Sequence, residues 1–355
     1  MRLIVCLAAT ALALSACGQQ GGGTAGAGGT QAPRQQAWAA GSSTVFPFAT
    51  RVSETVARTT GGVPAKVEAL GTGGGIKLFC SGAGSAYPDI ATASRRMKKS
   101  EYEDCVRNGV KDIVELKIGY DGIVIANARN GATYDLRERD IVLALAADIP
   151  KDGGFIKNPH STWRDVNSAL PAERILVYGP PPTSGTRDAF VELGMEGGAS
   201  DIPGYAALKT SDKDAFKART HTLRSDGAWT DAGENDNAIV QTLTKTPGSL
   251  GVFGYAFLEN NSDQVKAARV NGVSPTLATI ADGSYPLSRS LFIYVKKANV
   301  DVVPGLREMV NAFVSDAASG KGGYLLERGL VPLTPEQHEA EKKAAQELAP
   351  MAAPE

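Results

Sequence analysis

Three short stretches of this 355-residue chain carry the groups needed to hold a small oxyanion. One is Ser184-Gly185-Thr186-Arg187-Asp188-Ala189-Phe190, which follows the apolar run Ile175-Leu176-Val177-Tyr178 and the turn Gly179-Pro180-Pro181-Pro182-Thr183. The first turn of a helix leaves backbone N–H groups without intrahelical partners, and the macrodipole adds positive potential there. Ser184 and Thr186 supply hydroxyl donors, Gly185 lets the backbone approach a guest closely, and Arg187 brings full charge. Ser and Thr are also ordinary N-cap residues, so one such turn alone does not mean an anion site.

The same grammar recurs near the start of the chain. Gly41-Ser42-Ser43-Thr44-Val45-Phe46-Pro47-Phe48 again places Gly, Ser and Thr ahead of a helix. Pro47 suits a first helical turn, where its missing N–H costs nothing. Val45, Phe48, Val52 and Val56 give helical spacing down to the stop at Thr59-Thr60-Gly61-Gly62. A third turn, Gly71-Thr72-Gly73-Gly74-Gly75, leads into Ile76-Lys77-Leu78-Phe79. So many glycines fit either a flexible loop or a backbone that wraps a ligand. Three such turns, each ahead of a short helix, favour the ligand.

The elements that must position these turns alternate. Strands are expected at Lys66–Ala69, Ile90–Ala93, Val114–Ile118, Gly122–Ala126, Ile175–Tyr178, Leu250–Tyr255 and Leu291–Val295. Helices are expected at Lys99–Gly109, Leu136–Ala147, Ile239–Thr244 and Val303–Ser315, with another beginning at Trp163. Alternation of this kind predicts an α/β fold with parallel sheet character. The length allows one large or two medium domains, and 43% hydrophobic residues can build a sizeable core. A formal charge of -1 disfavours nucleic acid as a partner, so any anion affinity must come from local donors.

The first 17 residues read as a leader. Arg2 precedes the apolar run Leu3–Leu14, and Leu14-Ser15-Ala16-Cys17-Gly18 resembles a bacterial lipobox, in which Cys17 is lipidated and becomes the mature N-terminus. An ordinary secretory signal with an incidental Cys17 is the other reading, and either places the chain outside the cytoplasm. Residues 18–37 then form a flexible tether. Two cysteines remain, Cys80 and Cys105. In an oxidising compartment they are expected to pair, buried free thiols being the alternative. With three histidines and no CxxC pair, no metal site and no cofactor are expected.

At these residues the chain resembles the phosphate-binding subunits of Pst-type ABC transporters, in the type II solute-binding-protein superfamily. The resemblance runs from about Trp38 to Leu333. It is carried by Gly41–Pro47, by Gly71–Lys77 with Asp89-Ile90-Ala91-Thr92-Ala93-Ser94-Arg95, by Ser184–Phe190, and by Asn237–Gln241 with Thr246–Gly251. It implies an α/β, two-lobed periplasmic binding protein with two mixed sheets flanked by helices and two hinge crossovers. Lobe one would be 38–122 plus 287–335 and lobe two 123–286; the C-terminal tail 336–355, charged and Ala-rich, reads from its composition as a peripheral helix or a loose tail. Gly119–Gly122 and Ser284–Ser288 would be the hinges.

Carried over, Ser43, Thr44 and the Val45 N–H bind phosphate oxygens. Gly73 and Gly74 offer N–H groups beside the Thr72 hydroxyl, and Ser184, Gly185 and Thr186 close from the other lobe. Arg95 and Arg187 are the cations, guanidinium suiting a tetrahedral oxyanion. Arg187 reads equally as a helix-surface charge, and Arg95, beside Arg96, Lys98 and Lys99, as a solvated basic edge. The chain departs from the family pattern twice. Arg95 stands where many members carry the Asp that accepts the proton of phosphate and excludes sulfate, and Pro180 stands where others carry an Arg. Asp226, Glu234 and Asp236 are then the candidate acceptors.

The function implied is an extracytoplasmic receptor that captures inorganic phosphate and delivers it to ABC-transporter permease subunits. It is expected to be a monomer that meets the membrane only through its lipid anchor. A surface-anchored phosphate sensor and a binder of another tetrahedral oxyanion are the alternatives. A phosphatase using Ser43 or Ser184 would need an adjacent base and orienting partner. No Ser-His-Asp signature is present, so no catalytic residue is expected.

Overall fold

The computed structural model describes residues 35–233 and 235–355. The leader with Cys17, nearly all of the tether, and Glu234 lie outside the described residues. Two strand sets meet on one long strand, Ile113–Ala128. Its first part pairs antiparallel with Ser288–Lys296, from Lys296 opposite Ile113 to Ser288 opposite Gly122. From Ile123 onward its opposite edge pairs antiparallel with Leu250–Gly254, with Gly254 opposite Ile123, while Val265–Ala267 follows on the first edge.

Outward from Ser288–Lys296 lie Ile90–Ala93, Trp38–Gly41 and Lys66–Ala69. Outward from Leu250–Gly254 lie Val177–Gly179 and Trp229–Asp231. Parallel and antiparallel pairs mix on both sides. The mixed α/β architecture is the one expected. The two sheets are not separate, however, because the shared strand joins them into one nine-stranded sheet.

Burial follows the period-two geometry of strands. On Ser288–Lys296, Leu291, Ile293 and Val295 face one apolar cluster with Val114, Leu116 and Ile118. Phe292 and Tyr294 face the opposite cluster with Ile76, Phe79 and Met97. Both faces of this half-sheet are therefore covered, which accounts for its near-continuous apolar runs. The other half has its own core around Trp163, Phe190, Trp229 and Phe253.

The helices fall close to their expected places, at Phe46–Thr60, Lys99–Arg107, Glu138–Leu145, Asp236–Lys245 and Leu306–Phe313. Cys80 and Cys105 form a disulfide, joining the ends of two helices on one face of the sheet. Of the two readings of the C-terminal segment, peripheral helix or loose tail, most of its length takes the first. Thr334 and Gln337 make a capping box for a helix over Pro335–Glu347. That helix lies on the shared strand: Gln337 Oε1 accepts the Tyr120 hydroxyl at 2.8 Å, and Glu341 accepts the Lys117 N–H at 3.1 Å. Its charged, Ala-rich sequence hides a narrow buried seam at His338 and Ala345.

Candidate functional site

The strand Trp38–Gly41 delivers Ser42, whose N–H donates to the Thr92 carbonyl at 2.9 Å and whose carbonyl accepts the Phe46 N–H at 3.0 Å. These bonds fix the turn that presents Ser43 and Thr44. The Val45 N–H, expected to point at ligand, donates within the turn to Ser42 Oγ at 3.4 Å. The glycine-rich turn is seated by close approach. A Cβ on Gly75 would come 2.2 Å from the Gly41 Cα, so only glycine lets the helix Thr72–Phe79 rest against that strand. Thr72 Oγ1 accepts the Ser94 N–H at 3.1 Å, tying this turn to the end of Ile90–Ala93. Gly73 and Gly74 stand exposed in the helix's first turn.

Ser184 caps the helix Gly185–Phe190, its Oγ accepting the Thr186 N–H at 3.2 Å. A π-helical turn, Val191–Glu196, continues from it. Such turns are rare and cluster at functional sites. The two hydroxyl turns touch each other. A Cβ on Gly185 would lie 3.1 Å from the Ser43 carbonyl oxygen and 3.2 Å from the Thr44 Cα. The Ser43 hydroxyl donates to Asp188 Oδ2 at 2.6 Å. Thr44, Ser184, Gly185 and Thr186 line one cavity of about 440 Å³, together with Asp121 and Asp236.

The two expected cations are engaged elsewhere. Arg187 is buried, donates to the Pro180 carbonyl and to Asp231 Oδ1 at 3.0 Å each, and sits 4.6 Å over the Trp229 ring. Burial pulls its pKa down and Asp231 opposes that. It braces the Pro180–Thr186 turn from behind. Arg95 makes two bonds to Glu101, at 2.7 and 2.9 Å, which raise its pKa. It borders the glycine turn, with a Cβ on Gly73 falling 3.8 Å from its Nη2.

The cation bonded to Thr44 was not among those expected. Arg289 donates to Thr44 Oγ1 at 2.7 Å, to Glu192 at 2.5 Å and to Asp121 Oδ2 at 3.3 Å. Asp121 is buried. Burial raises its pKa, and Arg289 works against that rise. The second oxygen of Asp121 has no hydrogen-bond partner among the described residues, and the residue lines the cavity. Opposite charges in both expected hinge regions, at Asp121 and beside Ser284–Ser288, were the available signal. Their strands put them directly opposite each other.

Of the expected proton acceptors, Asp226 is exposed and held by Arg224 at 2.6 Å. Asp236 reaches the cavity and accepts the Gly254 N–H at 3.1 Å. Glu234 lies outside the described residues.

Hydroxyls and helix N-termini from both sides of a shared strand, gathered on one polar cavity, are the arrangement of a solute-binding protein. Residues 27–319 match the PBP superfamily domain. Phosphate-binding protein PstS of Staphylococcus saprophyticus is 31% identical over 327 residues, covering 91% of this chain and 86% of that protein. Protein SphX of Synechococcus elongatus is 31% identical over 315 residues, covering 85% and 79%. Among solved structures, a possible phosphate binding protein from Planctomyces limnophilus superposes with a TM-score of 0.69 at 27% identity, covering 89% of this chain and 99% of that one. The chain belongs to the PBP superfamily and, within it, to the PstS phosphate-binding proteins.

Proposed function

We propose that this protein is an extracytoplasmic receptor that captures inorganic phosphate between two lobes and hands it to the permease of an ABC transporter. The observation that carries the reading is the contact of Gly185 with Ser43 and Thr44, which brings both hydroxyl turns onto one cavity in a chain whose relatives include PstS. In this reading Thr44, Ser184, Gly185 and Thr186 hold ligand oxygens, Arg289 supplies the charge, and Ser43 joins when its hydroxyl leaves Asp188. Arg187 and Arg95 brace the turns.

The lobes are 38–122 with 287–335, and 123–286. Pairing with Ser288–Lys296 ends at Gly122 on one edge of the shared strand and pairing with Leu250–Gly254 begins at Ile123 on the other, which supports a crossover there. The helix Pro335–Glu347 packs with lobe one through Lys117 and Tyr120.

Asp121 is assigned as the acceptor of the ligand's proton, in place of the three acids considered from sequence. A serine nucleophile is not favoured: Ser43 bonds Asp188 and Ser184 bonds the Thr186 N–H, and no histidine bonds either serine among the described residues. Cys17 carries the lipid anchor in this reading, which intact mass of the membrane-extracted protein would test. No helix among the described residues is long and apolar enough to cross a membrane.

Calorimetry decides the ligand. Orthophosphate is expected to bind tightly in the cleft and sulfate is not. Heat with sulfate or molybdate and none with phosphate would overturn the assignment.

A further inference from the structure

Arg289 stands between two cavities. Its guanidinium bonds Thr44 and Asp121, which line the cleft described above. It also lines a second cavity of about 470 Å³ with Ser94, Arg95, Arg96, Lys117, Ser290 and Phe292. Four cations face this space, and no carboxylate is among its lining residues. The acids that balance the arginines sit outside the lining: Glu101 takes Arg95, and Glu115 takes Arg96 at 2.8 Å while accepting the Tyr294 hydroxyl.

Lys117 is different. Its ammonium has no hydrogen-bond acceptor among the described residues and rests 5.2 Å from the Tyr120 ring centroid and 5.9 Å from that of Phe292. Arg96 covers Phe292 as well, at 5.8 Å, and Tyr294 stacks on it. The one aromatic of the cavity is therefore already occupied, which leaves charged donors and the hydroxyls of Ser290 and Ser94, the latter bonded to Thr72, to meet a guest. Planar guanidiniums beside a point-charge ammonium suit a compact, multiply charged oxyanion and not a flat organic group.

We propose that this cavity is a second phosphoryl subsite, joined to the first through Arg289. It rests on the phosphate reading of the cleft. The phosphoryl group comes either from a second orthophosphate or from the far end of a condensed phosphate.

Calorimetry of the purified chain at low salt, with orthophosphate and separately with inorganic tripolyphosphate, tests it. The wild type should show a second, weaker orthophosphate isotherm if free phosphate is the source, or bind tripolyphosphate if a condensed phosphate is. Arg96→Gln with Lys117→Gln should abolish the second isotherm or weaken tripolyphosphate by about tenfold or more, leaving the first orthophosphate site unchanged. Should Lys117→Gln lower the melting temperature, the exposed Arg96→Glu alone carries the same expectation. A single orthophosphate isotherm, with tripolyphosphate binding absent or equal in wild type and variants, would overturn the proposal. Failure of the first orthophosphate isotherm in the wild type would instead overturn the reading of the cleft.

Discussion

Replacing Asp121 by Asn changes one buried carboxylate into an amide of the same shape. The oxygen that bonds Arg289 has a single contact at 3.3 Å, and the other has no partner among the described residues. Hydrogen phosphate can donate its proton to that free oxygen, a charge-assisted bond of about 1.5–3 kcal/mol. Sulfate has no proton to give and would set a second anion beside the carboxylate, a repulsion of about 4 kcal/mol at ~4 Å in an effective dielectric near 20. With tenfold for every ~1.4 kcal/mol, Asp121 accounts for roughly a thousandfold or more of discrimination.

An amide at 121 donates to sulfate as readily as it accepts from phosphate. Asp121→Asn should therefore weaken phosphate by about tenfold and strengthen sulfate by roughly a thousandfold. Arg289 keeps its bonds to Thr44 and Glu192 in the variant, so the cation stays in place. Paired calorimetric titrations with the two anions near neutral pH measure the ratio, with Asp236→Asn as comparator. An Asp121→Asn protein that keeps the wild-type preference would refute the reasoning. So would an Asp236→Asn protein that loses it.

The same substitution has a stability consequence with a definite sign. Burial raises the Asp121 pKa in the folded protein. Such an acid contributes stability that is fully present below its unfolded pKa and lost as pH rises through the folded one. The ligand-free Asp121→Asn variant should melt higher than wild type at neutral pH, and the gain should vanish in acid. Glu192→Gln removes the carboxylate that competes with ligand for Arg289, and should tighten phosphate by several-fold in the same titration. Gly185→Ala puts a Cβ 3.1 Å from the Ser43 carbonyl, so the cleft should close less well and phosphate should weaken by about 1 kcal/mol or more, with little change in ligand-free melting. Cys105→Ser opens the link between Cys80 and Cys105 and should cost about 2–4 kcal/mol of stability by denaturant titration.

What could be read from sequence divides along a physical line. The hydroxyl turns were legible because their signals are local: a cap residue, a glycine and a helix start lie within a few positions. The strands of the core were legible for the same reason, as apolar runs bounded by turn residues. Helix Pro335–Glu347 stayed undecided between a peripheral helix and a loose tail because its buried seam is too narrow to register against its charges. Arg187 shows the limit from the other side. Its position in the Ser184 turn suggested a ligand cation, but its partners, Trp229 and Asp231, arrive from a strand more than forty residues later.

Charge at the cleft is instead set by register. Asp121 and Arg289 face each other only because Ile113–Ala128 and Ser288–Lys296 pair in one frame, and the bulge between Leu291 and Phe292 helps to set it. A slip of either strand by one residue would turn its side chain to the opposite face and part the pair. The departure at Arg95 acquires a reason from this pairing. With Glu101 bound to Arg95 and no acid at that position, a proton-accepting role needs a carboxylate delivered by another element. The shared strand delivers Asp121 next to the point where pairing with Ser288–Lys296 ends on one edge and pairing with Leu250–Gly254 begins on the other. A selective group placed at that crossover is coupled to any motion of one half against the other, whereas an acid on an outer turn would move with one half alone.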